Sequence, residues 1–144
     1  MATATIFPSS DVTADWDNTT GATHWDEINE LVSSPTDASF IDTSTDDDVD
    51  EFGMTDSPAN TDEVSNIELH VRAQIDDASA TAIIRCEFFH TAGTPVTGNP
   101  QDINGANLGG YGVLGNATKT WPTLTLTRVQ ADSLQLRTTF MNAP

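Results

Sequence analysis

The stretch from Ser65 to Ile75 alternates apolar and polar residues without a break. Its apolar side chains fall at every second position from Ile67 to Ile75, and the positions between them are polar or charged. Successive strand residues point to opposite faces, so this period predicts a strand with one buried face. A helix would instead need apolar residues at a spacing of three to four. The chain must therefore contain a sheet that covers a core.

A second alternating segment, residues 80–90, follows almost at once. The intervening Asp76–Ser79 has the length of a hairpin loop, so the two strands are predicted to form an antiparallel hairpin. Thr is abundant elsewhere and suits strands, whereas Asn, Asp and Gly suit turns. Roughly seven or eight short strands result, with turns between them, and they predict an all-β fold. The expected architecture is an antiparallel β-sandwich of Greek-key or jelly-roll type with one or two short helices.

Two segments have helical features. Residues 23–32 carry apolar side chains at helical spacing after Thr23, which is predicted to cap the helix. Thr127 is predicted to cap a second, shorter helix. With 144 residues, the chain has the length of one domain. We therefore expect a single β-sandwich domain over residues 1–144, with residues 1–12 as an N-terminal arm or edge strand.

The acidic residues are concentrated in one half of the chain. Residues 1–63 carry 12 Asp, 4 Glu and no Lys or Arg, which gives −16, whereas residues 64–144 carry 6 acids and 5 bases, which gives −1. Neither half has the clustered cations that nucleic acids or anionic membranes attract, so both partners are predicted to be absent. The bias predicts a halophilic or marine source; the alternatives are a solvated face, a basic partner or bound cations.

Targeting and redox features are few. The N-terminus lacks a basic region followed by an apolar run, so no signal peptide is predicted. The chain has one cysteine, Cys86, and its place in an apolar strand predicts a small buried side chain.

Residues suited to catalysis are scarce. The chain has three histidines and no GxSxG nucleophile elbow. Gly110–Gly115 matches GxGxxG, but a turn-rich stretch follows it where a dinucleotide site needs a helix. His70 and Arg72 share a strand face with Glu68, which cross-strand pairing on an exposed sheet explains. The sequence therefore predicts a non-enzymatic protein without a cofactor.

Two ligand classes stay open. Asp46, Asp48 and Asp50 match the first three ligand positions of a calcium loop, although Glu51 replaces the required glycine and excludes an EF-hand. A looser Ca²⁺ site is one interpretation, and a solvated acidic loop is the other. The aromatic residues Trp16, Trp25, Tyr111 and Trp121 also allow a carbohydrate-binding platform, and a core or lid role for each is the alternative.

Short landmarks along most of the chain occur in a characteristic order. They are Ile6–Val12, Trp16, Trp25–Glu30, Pro35–Ile41, Phe52–Met54, Val71–Ala73, Trp121, and Leu126–Thr127 before Ala131–Gln135. This order resembles a family of small β-sandwich proteins encoded among the virion structural genes of tailed phages and related viruses. The resemblance implies a particle component, in the head or the tail, that is assembled in the host cytoplasm.

The resemblance also implies where contacts would form. Members of that family place a further apolar strand after the segment that matches Leu134–Gln135, so its absence would leave a sheet edge open. Residues 3–12 or a neighbouring subunit would then fill that edge. The expected function is a head decoration or cement protein that binds the major capsid protein or other virion subunits, as a homo-oligomer on the particle. A tail or fibre module and a carbohydrate-binding adhesion module are the alternatives. The predicted contact residues lie in the arm and in the loop from Ala92 to Asn107, and they are Ile6, Phe7, Val12, Pro95, Val96 and Ile103.

Overall fold

A computed structural model describes residues 3–21, 23–29, 34, 37–60, 62–76, 81–91 and 93–142. The strands are β1 (Pro8–Ala14), β2 (Asp17–Asn18), β3 (Ile41–Asp42), β4 (Val49–Met54), β5 (Glu63–Ala73), β6 (Ala82–His90), β7 (Thr94–Pro95), β8 (Gln101–Asn104), β9 (Gly115–Thr127) and β10 (Gln135–Asn142). The helices are α1 (His24–Ile28), α2 (Arg128–Ala131) and a 3₁₀ helix (Gly105–Leu108). Neither α-helix, nor any other helix in the described residues, has the length and apolar character needed to cross a membrane.

The strands form two large antiparallel layers and one small ribbon. The main sheet has the order β1-β4-β10-β6-β7, and β8 also pairs with β6. The second layer consists of β5 and β9, and β2 pairs with β3. The predicted all-β antiparallel fold with two short α-helices is confirmed. Its Greek-key or jelly-roll connectivity stays a prediction.

One hydrophobic core joins the two layers. Phe52, Leu136 and Phe88 are register neighbours across three strands of the main sheet, and all three are buried. From the second layer, Ile67 and Trp121 pack into the same cluster. The rings of Phe88 and Trp121 meet edge to face, with centroids 4.9 Å apart. Such an edge-to-face pair adds to the gain from burial, so it helps to hold the layers together.

The alternating strand lies where its pattern predicts, but with a different neighbour. In β5, Ile67 is buried while Glu68 and His70 are exposed, as expected. The predicted hairpin with residues 80–90 is wrong, because β5 pairs with β9 and β6 lies in the main sheet between β10 and β8. Alternation identifies the buried face of a strand, and it carries no information about which strand lies beside it.

The segment expected to be a long loop before Asn107 contains β7, β8 and the start of the 3₁₀ helix. Val96 and Ile103 are buried in it. Asn99 fixes its path: Oδ1 accepts hydrogen bonds from Phe88 N (3.1 Å) and Trp121 Nε1 (2.7 Å), and Nδ2 donates to Phe88 O. Turns interrupt the apolar periodicity here, for example at Gly98 with its φ of 98°, so no pattern marked these short strands.

The two predicted caps have different outcomes. The Thr127 hydroxyl accepts a hydrogen bond from Gln130 N, and α2 begins at the next residue, so this cap is confirmed. Thr23 occupies the N-cap position of α1 without a side-chain hydrogen bond, so its predicted capping role is wrong. The helix is also shorter than predicted within the described residues, and residues 30–33 lie outside them.

The predicted N-terminal arm is built into the main sheet. Strand β1 pairs with β4 along Pro8–Ala14, and Phe7 N and O both bond to Thr55 just beyond β4. Of the two predicted alternatives, an arm or an edge strand, the structure has the edge strand, because β1 lies at the end of the main sheet. The pairing shifts register twice, between Pro8 and Ser10 and between Asp11 and Thr13.

The Cys86 thiol should be unreactive in the folded protein. The residue is fully buried, and burial raises the pKa of its thiol to about 12. Because the thiolate is the reactive form, we expect negligible reaction with a disulfide reagent at mildly alkaline pH until the protein is unfolded. A thiol assay before and after denaturation measures this. Rapid complete labelling of the native protein would contradict the assigned burial.

Candidate functional site

A fully buried carboxylate connects α1 to the main sheet. Asp50 lies on the core side of β4, in register with Thr138 of β10. Its Oδ2 is 2.6 Å from His24 Nδ1, and its Oδ1 accepts the backbone N–H groups of Asp15 (2.8 Å) and Trp16 (2.9 Å). A buried charge is tolerated only when such partners replace water. Asp50 therefore fixes both α1 and the corner after β1 to the sheet.

A second carboxylate caps α1 from a distant part of the sequence. Asp11 in β1 accepts hydrogen bonds from the backbone N–H groups of His24 (3.0 Å) and Trp25 (2.8 Å). These N–H groups have no acceptor inside the helix, and a negative charge at this end also interacts favourably with the helix dipole. The predicted Thr23 cap is wrong because Asp11, which lies 13 positions before His24, accepts these hydrogen bonds instead.

Glu27 holds the turn that follows β2. It is 4% exposed, and it accepts both the backbone N–H and the hydroxyl of Thr19 and of Thr20. Burial alone would raise the pKa of Glu27, but the four hydrogen bonds outweigh burial and lower it to about 2. Glu27 is thus a structural carboxylate that is ionised in the folded protein.

The Glu27→Gln variant should be less stable than the wild type at neutral pH, and this difference in stability should disappear in acid. The folded pKa of Glu27, about 2, lies below its usual 4.5, so its stabilisation is complete above 4.5 and is lost as pH falls toward 2. We expect the wild type to be more stable at neutral pH and the two unfolding temperatures to converge across that window. Thermal denaturation against pH measures it.

The Thr20→Val variant is the matched control, because it removes one hydroxyl donor and leaves the carboxylate in place. Loss of this donor should bring the folded pKa of Glu27 closer to its usual value. The pH range over which the stability changes should therefore be narrower than in the wild type. Parallel pH profiles for the wild type and Glu27→Gln would contradict the structural role of this carboxylate.

The acidic half is therefore divided between internal and external carboxylates. Asp11, Glu27, Asp50 and Glu51 serve the fold, the last through an ion pair with Arg137 at 2.7 Å. Among the described residues of this half, the exposed acids are Asp15, Asp17, Asp26, Asp37, Asp42, Asp46, Asp47, Asp56, Asp62 and Glu63. Part of the charge bias thus has a structural cause, and these ten carboxylates are at the surface.

The three carboxylates predicted to bind calcium have different partners. Asp46 Oδ1 accepts the N–H of Asn142 (2.7 Å), Asp48 Oδ2 accepts the hydroxyl of Thr43 (2.6 Å), and Asp50 is buried against His24. Among the described residues, no three His, Cys, Asp or Glu side chains are grouped so as to hold a metal ion. The calcium prediction gains no support from this geometry.

The predicted contact residues fall into two groups. Val12 (50% exposed) and Pro95 are at the surface, and Ile6 and Phe7 are half-buried. Val96 (2%) and Ile103 (0%) belong to the core, so their side chains cannot meet a partner in this fold. The structure does not gather these residues into one patch. Val12 belongs to β1, Ile6 and Phe7 precede it, and Pro95 belongs to β7.

A groove opens where β3, the end of β5, and the end of β10 converge, and we call it the Trp16 groove. Its volume is about 340 Å³. Its floor is apolar: Ile75 and Ile84 are buried, and Trp16, Ile41 and Phe140 are half-buried around them. Its rim is polar and consists of Asp42, Thr43, Ser44, Gln74, Asp76 and Asn142. An apolar floor with a few polar groups is the usual composition of a ligand site.

Trp16 is held in place on one wall of this groove. Its indole Nε1 donates to the carbonyl oxygen of Asp48 at 3.1 Å, and its backbone N–H donates to Asp50. Of the other candidates for a sugar platform, Trp121 is fully buried, and Trp25 and Tyr111 are half-buried. The carbohydrate prediction therefore loses Trp121, while Trp16 keeps a surface position.

The arginines do not offset the exposed acids near this groove. Each of the four is engaged with a carboxylate elsewhere: Arg72 with Asp37, Arg85 with Asp102, Arg128 with Asp132 and Arg137 with Glu51. Lys119 donates to Asn107. No Lys or Arg is among the described residues that line the groove. The groove thus has a negative rim without a cation of its own.

Comparison with known proteins found no relative. No protein-family model, curated protein or solved structure matches this chain. The likeness to virion proteins of tailed viruses therefore rests on the sequence landmarks alone, and the virion assignment is a proposal.

Proposed function

We propose that this chain is a non-enzymatic structural protein of a tailed-virus particle, and that it decorates the head by binding the capsid lattice. The observation that carries the proposal beyond the sequence landmarks is the outer edge of β5. One edge of β5 pairs with β9 over residues 63–73, and no described strand pairs with the other. An unpaired edge of this length is a template for an additional strand.

The other long edges are less suited to strand addition. Edge strand β1 carries Pro8 and two register shifts, which interrupt its line of donors and acceptors. Strand β9 carries Pro122, which has no N–H, and Thr123 with a positive φ of 62°. Strand β5 contains no proline or glycine, and its single register shift, between Val64 and Asn66, lies near its start. A neighbouring subunit, either a capsid protein or a second copy of this chain, would pair there.

Mass spectrometry of purified particles tests this proposal. Particles from the organism that encodes the chain should contain it in a fixed ratio to the major capsid protein. Its absence from intact particles would refute the virion assignment. A ratio of a few copies per particle would favour a tail or fibre component over head decoration.

A carbohydrate-binding module is the second candidate, and the Trp16 ring in the groove is the observation behind it. A half-buried indole beside carboxylate and amide side chains can stack on a sugar ring and bind its hydroxyls. Glycan-array binding that is lost in Trp16→Ala would support this alternative. Trp121→Ala is not a suitable variant for that purpose, because Trp121 belongs to the core.

A further inference from the structure

We propose that the Trp16 groove binds an extended basic segment of a partner protein. The aliphatic stem of an Arg or Lys would lie on the apolar floor, and its cationic head would reach the carboxylates of Asp42 and Asp76 at the rim. This proposal holds whether or not the partner belongs to a virion.

The shape of the groove suits a long amphipathic side chain. Ile75 and Ile84 close its floor, and its volume of about 340 Å³ is at the lower end of the range for ligand sites. A side chain with an apolar stem and a charged end matches an apolar floor below a charged rim. A purely apolar side chain would leave the negative charge of the rim unneutralised, because the hydrogen bond that Asp76 accepts from Gln74 comes from a neutral amide.

The electrostatics specify the sign of the ligand. Asp42 in β3 is directly opposite Asp17 in β2, and both are exposed. Like charges at directly opposed positions of antiparallel strands repel each other. A cation beside Asp42 would relieve that repulsion, and Asp76, which also lines the groove, adds to the attraction. Every arginine of the chain is paired with a carboxylate elsewhere, and no Lys or Arg is among the described residues that line the groove. A cation at the rim would therefore come from another molecule.

These charges favour a basic peptide over a neutral sugar. The Trp16 indole N–H is already bonded to Asp48, so only the ring of Trp16 is left to a ligand. Aliphatic stems of Arg and Lys pack against such rings, and the guanidinium group also stacks on them. A neutral sugar would contact the same ring and leave the opposed carboxylates unneutralised.

Titration of the full chain with a short peptide, followed by amide NMR, tests the proposal. The probe is an acetylated and amidated peptide with two arginines between leucines, and the matched probe replaces both arginines with glutamine. We expect the arginine peptide to shift the Trp16 indole and the side-chain amide signals of Gln74 and Asn142. The glutamine peptide should have no effect, and added salt should weaken binding.

Variants separate groove binding from general attraction to an acidic protein. Asp42→Asn and Asp76→Asn should each weaken the arginine peptide roughly two- to fivefold, the range for exposed ion pairs. Asp62→Asn removes one exposed carboxylate outside the groove and should have no effect. Equal weakening by all three variants, or no shift at low salt, would overturn the proposal. Shifts of the same signals by a neutral disaccharide and not by the peptide would overturn it in favour of the carbohydrate alternative.

Discussion

Replacing Asp50 with alanine is expected to lower the free energy of unfolding by about 3–5 kcal/mol. The change leaves the buried His24 and the partly buried backbone N–H groups of Asp15 and Trp16 without their acceptor. It also opens a cavity beside Phe52 on the core side of β4. Urea denaturation of the wild type and variant measures the difference.

Two further variants locate the source of this loss. Asp50→Asn keeps an oxygen that can accept hydrogen bonds from the backbone. It should therefore lower the free energy of unfolding by less than Asp50→Ala does. Asp56→Ala removes an exposed carboxylate just after β4 and should change stability by less than about 0.5 kcal/mol. In a double-mutant cycle, Asp50→Ala and His24→Ala should be strongly non-additive. Additive effects, or a loss below about 1 kcal/mol for Asp50→Ala, would contradict the buried network.

Replacing Trp121 with alanine should cost a similar amount, about 3–5 kcal/mol. Trp121 is fully buried, packs edge to face on Phe88, and donates its indole N–H to Asn99. Its removal would therefore open a cavity between the two layers and take away one of the two donors to Asn99 Oδ1, while the hydrogen bonds between Asn99 and the Phe88 backbone stay. Thermal or urea denaturation provides the measurement.

Trp121→Phe and Trp16→Ala are the comparisons for this prediction. The first keeps an aromatic ring in the core and loses the hydrogen bond to Asn99, so its cost should be lower, about 1–3 kcal/mol. The second removes a half-buried ring and should cost less than Trp121→Ala. Equal losses in Trp16→Ala and Trp121→Ala would contradict the assignment of Trp121 to the core and Trp16 to the surface.

Local patterns predicted the faces of the strands and one helix boundary. Alternation identified the buried side of β5, and the sequence around Thr127 identified the cap of α2. Both features depend on residues only a few positions apart. The neighbour of β5 could not be predicted in the same way, because β9 begins more than 40 residues after β5 ends and the loop before β6 fits a hairpin.

The roles of the acidic residues were the hardest part to predict. Composition predicted an acidic surface, yet Asp11, Glu27 and Asp50 are acceptors inside the fold. Their donors are seven to 35 residues away in sequence, and no spacing rule relates such pairs. The spacing of Asp48 and Asp50 resembled a calcium loop, but Asp50 begins the buried part of a strand. The one local signal of an internal role was that Asp50 lies two positions before the apolar Phe52, on the same face of the strand.

The candidate site was only partly predictable for the same reason. Trp16 was a candidate for a sugar platform, and the structure places it in the lining of a groove. The other walls come from β3, the end of β5 and the end of β10, which are remote from Trp16 in sequence. Only the paired sheets bring them together.

Immunogold electron microscopy of purified particles tests the central claim, that this chain decorates the head of a tailed virus, most directly. An antibody against the folded chain should label the heads of intact particles densely and evenly, because a decoration protein repeats with the capsid lattice. Particles that never label, although the antibody binds the free chain, would contradict the claim, and label confined to the tail would replace head decoration with a tail role.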